Sequence, residues 1–152
     1  MKVWRYQICE EVEIQAPVEQ VYLLAADPEL VPFYAPEIAR IEMVRRLSEH
    51  VVLVRSYLKV AGLTFGVLYR YHYRRPAHYS GVQVGRGVLR GYFSLSFRPY
   101  GGGTTVSHTE GILSPVPLLA WTVGFIYFKI MARGGMREEL GRLKGLVESR
   151  VV

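Results

Sequence analysis

From Val3 to Gln15 the chain alternates. Trp4, Tyr6, Ile8, Val12 and Ile14 fall on one side, and Arg5, Gln7, Glu11 and Glu13 on the other. This period of two predicts a half-buried β-strand. Glu10 interrupts the apolar side and is expected to mark a bulge or a polar spot. Ala16-Pro17 then opens a short helix with Val18, Val21, Tyr22 and Ala25 on its buried stripe. Asp27 caps a second short turn of helix, from Glu29 to Tyr34, and Pro36 closes it. Alternation returns over 38–47, 51–60, 63–74, 78–84, 88–99 and 104–113. The turns between them are rich in glycine or polar residues (Ser48-Glu49-His50, Ala61-Gly62, Gly85-Arg86-Gly87, Gly101-Gly102-Gly103).

The pattern changes after Ser114. Pro115 and Pro117 can begin a helix but not sit inside one. Leu119, Val123, Ile126 and Ile130 then recur at helical spacing, and Met136, Leu140, Leu143 and Val147 make a second stripe. One long helix is expected from about Pro117 to Glu148, with Gly134-Gly135 as a kink between its halves. Its second half is amphipathic. Its first half is apolar nearly all round, through Trp121, Phe125, Tyr127 and Phe128, and so needs apolar surroundings on more than one side. Seven strands, two short helices after the first strand and one long final helix predict an α+β fold with an antiparallel sheet. No linker or repeat interrupts it, so a single domain over 1–152 is expected.

Composition adds little to this picture. The chain is 50% hydrophobic and 21% charged, which excludes disorder. One cysteine, Cys9, forbids an intramolecular disulfide and suits a reducing compartment, so a cytoplasmic location is expected. The N-terminus lacks the apolar core of a signal peptide. The uncharged stretch before Lys129 is broken by Ser114, Pro115 and Pro117, too short an apolar helix for a membrane span. The net charge of +6 hints at an anionic partner. Arg55, Lys59, Arg70, Arg74, Arg86, Arg90 and Arg98 share the parity opposite the apolar face and are expected on the outer side of the sheet. A solvated face is the default for them, and a surface drawn to anionic membrane lipid is the alternative. Tyr57 and Tyr92 share that face, but no RNA-binding consensus accompanies them, so nucleic acid is not an expected partner.

Several local runs resemble a known superfamily. Glu11-Val-Glu-Ile-Gln-Ala-Pro-Val-Glu-Gln-Val-Tyr22 is similar to the opening of the START/Bet v 1-like proteins, in particular their polyketide-cyclase and coenzyme Q-binding branch. Ala26-Asp27-Pro28 with Val31-Pro32-Phe33-Tyr34 resembles the second helix there, and Gly102-Gly103-Thr104-Thr105-Val106 resembles the glycine turn before the last strand. The resemblance implies a helix-grip fold: a curved sheet wrapped around the C-terminal helix, with a cavity for an apolar ligand between them. Members bind or carry lipids, quinones and sterols, or cyclise polyketides. No universal catalytic signature comes with it.

Strand parity and the helix together nominate the cavity wall. Phe65, Tyr69, Tyr71, Phe93, Leu95, His108 and Glu110 come from the sheet, and Trp121, Phe125 and Tyr127 from the first half of the helix. His108-Thr109-Glu110 places an imidazole and a carboxylate on one strand face, an arrangement suited to polarising a carbonyl or moving a proton. The four histidines show no ligand spacing, so no metal is expected. Neither a dinucleotide fingerprint nor a serine nucleophile elbow is present, and no cofactor is expected. The reading is a binder or carrier of a small hydrophobic ligand, monomeric or homodimeric. Two alternatives remain: a cyclase-type enzyme, and a regulatory module that meets RNA or ribosomes through the basic face. The loop from Ser114 to Leu119 is expected to form an apolar rim that touches a bilayer or a second copy of the chain.

Overall fold

The structure, a computed structural model, describes residues 2–127 and 133–150. Seven strands form one sheet: β1 (Trp4–Ile14), β2 (Ile38–Arg46), β3 (Val51–Val60), β4 (Leu63–Arg74), β5 (His78–Gln83), β6 (Arg90–Tyr100) and β7 (Gly103–Ser114). Their order across the sheet is β1-β7-β6-β5-β4-β3-β2, and every neighbouring pair is antiparallel. The chain therefore runs as one meander from β2 to β7, and β7 then pairs with the first strand. The helices α1 (Val18–Ala25) and α2 (Val31–Tyr34) fill the connection from β1 to β2. The Asp27 side chain accepts the Glu29 N–H at 2.9 Å, so it caps the turn leading into α2, four residues before the helix proper.

Glu10 makes no bulge. The β1–β7 register runs unbroken from Trp4 opposite Ser114 to Ile14 opposite Thr104. Glu10 instead accepts from Arg137 Nε at 3.2 Å, so the polar spot on the apolar face is an ion pair with a helix above it.

The C-terminal segment holds two described helices, α3 (Pro117–Tyr127) and α4 (Arg133–Glu148). Whether they join as one helix turns on residues 128–132, which lie outside those described. The backbone of Gly134 and Gly135, expected as a kink, lies inside the first turn of α4. The amphipathic stripe of α4 faces the sheet: Met136, Leu140, Leu143 and Val147 are each at most 2% exposed. Leu140, Leu143 and Val147 join a core with Ile14, Val21, Tyr22, Tyr34, Tyr79, Leu95, Phe97 and Val106, which ties α1, α2 and α4 to the sheet. This is an α+β helix-grip fold. Among the described residues, no helix is long and apolar enough to cross a membrane.

Helix α3 rests on β1 and β7, at one end of the sheet. Its buried side is a stripe of small residues, Ala120 and Gly124, rather than the large apolar ones. A Cβ on Gly124 would lie 2.6 Å from Cγ of Tyr6, so only glycine lets the helix come this close to β1. The bulky residues of α3 turn outward, where Trp121 packs edge-on against Tyr6 with ring centroids 5.8 Å apart.

Candidate functional site

A cavity of about 610 Å³ lies between the concave face of the sheet, the α2 region and the start of α4. Its wall is built by strand parity. On β4, Tyr69, Tyr71 and Tyr73 point inward at alternate positions, and Tyr79 on β5 and Phe93 and Leu95 on β6 continue the surface across the sheet. The rings interlock: Phe93 meets Tyr71 edge to face at 5.2 Å, and Tyr73 stacks on Tyr79 at 5.9 Å. Gly81, between them on β5, makes room for this, because a Cβ there would lie 2.4 Å from the Phe93 ring and 2.8 Å from that of Tyr71. The Tyr34 and Tyr79 hydroxyls lie 3.1 Å apart, each within reach of the Ala25 carbonyl, so these buried phenols are satisfied without water.

One side of the cavity carries a different chemistry. His108 and Glu110 come from β7, and Glu139 comes down from α4 between Met136 and Leu143. His108 Nε2 lies 3.4 Å from Glu110 Oε1, and His108 Nδ1 lies 3.7 Å from Glu139 Oε1. The imidazole is 2% exposed, and burial lowers its pKa to about 4, so it is neutral. Glu110 keeps 27% of its side-chain surface open; burial, and secondly the charge of Glu37, push its pKa up to about 7. Burial raises Glu139 well above the usual carboxylate range, and Glu110 and Glu37 add to the shift. A neutral imidazole makes no ion pair with either carboxyl, although the distances would allow one. These are polar contacts between largely uncharged groups. Among the described residues, His108 Nδ1 is the buried side-chain nitrogen or oxygen that finds no hydrogen-bond partner.

Of the residues nominated from the sequence, Tyr69, Tyr71, Phe93, Leu95, His108 and Glu110 come together on this wall. Phe65, Trp121 and Phe125 do not. Phe65 has inward parity but is 49% exposed, because β4 outruns β5: its pairing with β5 begins at Tyr69, and residues 63–67 pair with β3 alone. Trp121 and Phe125 are 61% and 47% exposed, since the small-residue side of α3 takes the sheet contact. The helical contribution to the cavity comes from Gly135, Met136 and Glu139 of α4 instead of the first half of the C-terminal segment. The side chain of Tyr127 lies outside the described residues. Lys59 and Arg90, expected on the outer face, line the cavity from strand ends, Lys59 beside the Ala61-Gly62 turn and Arg90 at the first position of β6.

Sequence reasoning missed Glu139, Glu37, Tyr34 and Tyr79. For Glu139 a signal existed: it stands three residues after Met136 and four before Leu143, on the apolar stripe of an amphipathic helix, where a carboxylate is out of place. The expectation that no ligand set exists rested on spacing along the chain. The fold gathers His108, Glu110 and Glu139 so that one donor atom from each lies within 4.8 Å of the others.

The comparisons with known proteins agree with this architecture. A solved aromatase/cyclase, ZhuI from Streptomyces sp. R1128, superposes with a TM-score of 0.78 at 15% identity, covering 98% of this chain and 97% of its own. A START superfamily protein from Mycobacterium smegmatis gives 0.74 at 18% identity, covering 95% and 98%. The protein TTHA0849 from Thermus thermophilus gives 0.68 at 24% identity, covering 96% and 97%. At these identities the likeness is one of fold. No curated protein matches the sequence. Residues 6–148 match the family described as polyketide cyclase / dehydrase and lipid transport, and the chain belongs to that family.

Proposed function

We propose that this protein binds a small hydrophobic ligand in the cavity between sheet and α4, and carries it. The observation that supports this most is the wall itself. Tyrosines, Phe93 and Leu95 surround a volume in the range of small-molecule sites, with a few polar groups gathered on one side. Such a site rewards an apolar body and fixes its orientation through one polar end. Native mass spectrometry of the purified protein, followed by solvent extraction, tests the reading directly. A co-purifying apolar molecule, or displacement of the neutral dye Nile red by added lipids or quinones, is expected. A protein that binds no apolar molecule under any condition would sink it.

Loading from a bilayer fits the same reading. Leu118, Trp121, Phe125 and Ile126 form an exposed apolar side of α3, with Val116 beside it on the preceding rim. Lys2, whose ammonium sits 4.5 Å over the Trp4 ring, and the overall charge of +6 favour an anionic surface.

A second reading, a cyclase or dehydratase, draws on one specific observation. Glu139, His108 and Glu110 lie in a row with the imidazole in the middle. A proton could pass from a ligand to Glu110 and be balanced through the ring. Turnover of a poly-β-ketone substrate that is lost in Glu110→Gln, while ligand binding persists, would establish it. Binding without turnover in the parent protein would leave the carrier reading alone.

A further inference from the structure

We propose that the cavity is selective for a ligand carrying a protonated amine, which seats its ammonium group among Glu110, Glu139 and His108 with its apolar body against the tyrosine wall. The inference deepens the ligand-binding reading and rests on it. Three observations lead to it. First, three carboxyl groups line this cavity, Glu37, Glu110 and Glu139, and the histidine among them supplies no positive charge. Glu37 hydrogen-bonds Glu139, so the three act as one acidic patch in a mostly apolar room. Burial raises Glu110 to about 7 and Glu139 well above its ordinary value, and a cation inside the cavity offsets that cost, because an opposite charge close by favours the carboxylate form.

Second, His108 Nδ1 is buried and lacks a hydrogen-bond partner among the described residues. With the single ring proton on Nε2, toward Glu110, Nδ1 is an acceptor whose near neighbour, Glu139 Oε1, stays beyond hydrogen-bond distance at 3.7 Å. A carbonyl or ether oxygen on the ligand cannot supply a donor. An ammonium group brings three N–H donors, and this cluster offers three acceptors, one each from His108, Glu110 and Glu139.

Third, the two carboxyls stand at opposite nitrogens of the imidazole, which disfavours a single metal ion. Three acceptors around one ammonium, each at about 2.8 Å and tetrahedrally disposed, stand about 4.6 Å from one another. Ligand atoms around a tetrahedral divalent metal, bound at about 2.1 Å, stand about 3.4 Å apart. One ligand atom from each of the three residues lies within 4.8 Å of the others, which admits either spacing. The two shorter contacts, 3.4 and 3.7 Å, run from opposite nitrogens of the imidazole, so the carboxyls flank the ring rather than converge on one nitrogen. The tyrosine rings add faces on which a cationic headgroup is stabilised as it enters. Arg90 stands three residues from Phe93, the partner of Glu110, about 10 Å along the strand, whereas Lys59 lies beside Glu37, its backbone N–H donating to the Glu37 carbonyl at 2.7 Å.

The test uses three probes with one tail: 4-phenylbutylamine, 4-phenylbutanol and 4-phenylbutyrate, each titrated calorimetrically against the intact protein at pH 7.5. The amine is expected to bind at least about tenfold more tightly than the alcohol, as charge-assisted hydrogen bonds in a buried site require. The carboxylate should bind most weakly. In the Glu110→Gln/Glu139→Gln double variant, shown by circular dichroism to be folded, the amine-to-alcohol ratio should fall to about one. Equal affinity for amine and alcohol, or preference for the carboxylate, overturns the proposal and leaves hydrophobic binding in place. Failure of all three probes overturns this inference, and the ligand-binding reading falls with it only if Nile red is refused as well. Competition by micromolar Zn²⁺, with visible absorption bands on adding Co²⁺, also overturns the proposal by making the cluster a metal site.

Discussion

Helices α3 and α4 come from one C-terminal segment and meet the sheet in opposite ways. Helix α4 is rich in Arg, Lys and Glu, yet it buries a complete stripe, with Met136, Leu140, Leu143 and Val147 at 2% exposure or less. Helix α3 has no charged residue, yet it leaves Leu118, Trp121, Phe125 and Ile126 between 47% and 76% exposed. Hydrophobic content therefore does not decide which helix is gripped. The sheet offers α4 a concave surface that takes leucine and methionine side chains. It offers α3 only the β1–β7 end, where Tyr6 stands up and the helix approaches on Ala120 and Gly124. Burial follows the shape of the available surface, and what cannot fit against it stays exposed on the outside.

Core truncation should give the sharpest contrast. Leu143→Ala removes a side chain with no exposed surface and is expected to cost about 2–5 kcal/mol in urea denaturation. Leu118→Ala, at 76% exposure, should change stability by less than about 0.5 kcal/mol. Similar losses at both positions would mean that α3 is gripped as α4 is.

A second contrast lies in pH, because α4 carries a buried carboxyl and α3 carries none. Glu110 titrates at about 7 in the fold and burial raises Glu139 well above its ordinary value, so the folded chain keeps protons that the unfolded chain releases near pH 4.5. Their contribution favours folding in acid and is lost as pH rises through 7. His108, lowered to about 4, works the other way: the unfolded chain takes up a proton below pH 6.5 that the folded chain refuses. The two effects oppose each other between about pH 4.5 and 6.5. Above that range only the carboxyl effect remains. The ligand-free protein should therefore lose stability from pH 6.5 to 8.5, with Glu110 alone contributing about 1 kcal/mol. Glu139→Gln should flatten that slope, and an unchanged slope would remove Glu139 from the account.

The close approach of α3 predicts a smaller effect. Gly124→Ala gains helix propensity of about 1 kcal/mol but drives a methyl group into the Tyr6 ring. A net loss of about 1 kcal/mol is expected, since overpacking costs about 1–3 kcal/mol. Changing Tyr6→Ala as well should turn the alanine into a gain. If Gly124→Ala alone stabilises the protein, α3 is not seated on β1 as described.

The last contrast should leave stability untouched. Co-sedimentation with vesicles containing phosphatidylserine should rise with the anionic fraction, fall with salt and weaken in Leu118→Ser/Trp121→Ser. If that variant sediments like the parent protein, the exposed side of α3 is not the contact. Dimerisation through the same side, seen by light scattering and lost in the variant, would assign it to a second copy of the chain.

Much of the architecture was written in local patterns. Seven alternating runs, their glycine turns, the paired prolines before the last segment and the Met136–Val147 stripe each carry a period that only one element satisfies. Parity alone brought Tyr69, Tyr71, Phe93, Leu95, His108 and Glu110 onto one wall, because a strand has only two sides and the core takes one of them. Where periodicity gives no unique answer, the reading went astray. On α3 nearly every position is apolar, so a search for the largest residues chose the outward side, and the small-residue contact with Tyr6 belongs to a partner over a hundred positions away in the chain. Phe65 obeys its parity and still stands outside, since the lengths of neighbouring strands decide where cover ends. The pairing of His108 with Glu139 is the clearest case. Each residue sits on a legible element, but only the seating of α4 over β7 brings a carboxyl to an imidazole, and no local pattern encodes the angle at which a helix lies across a sheet.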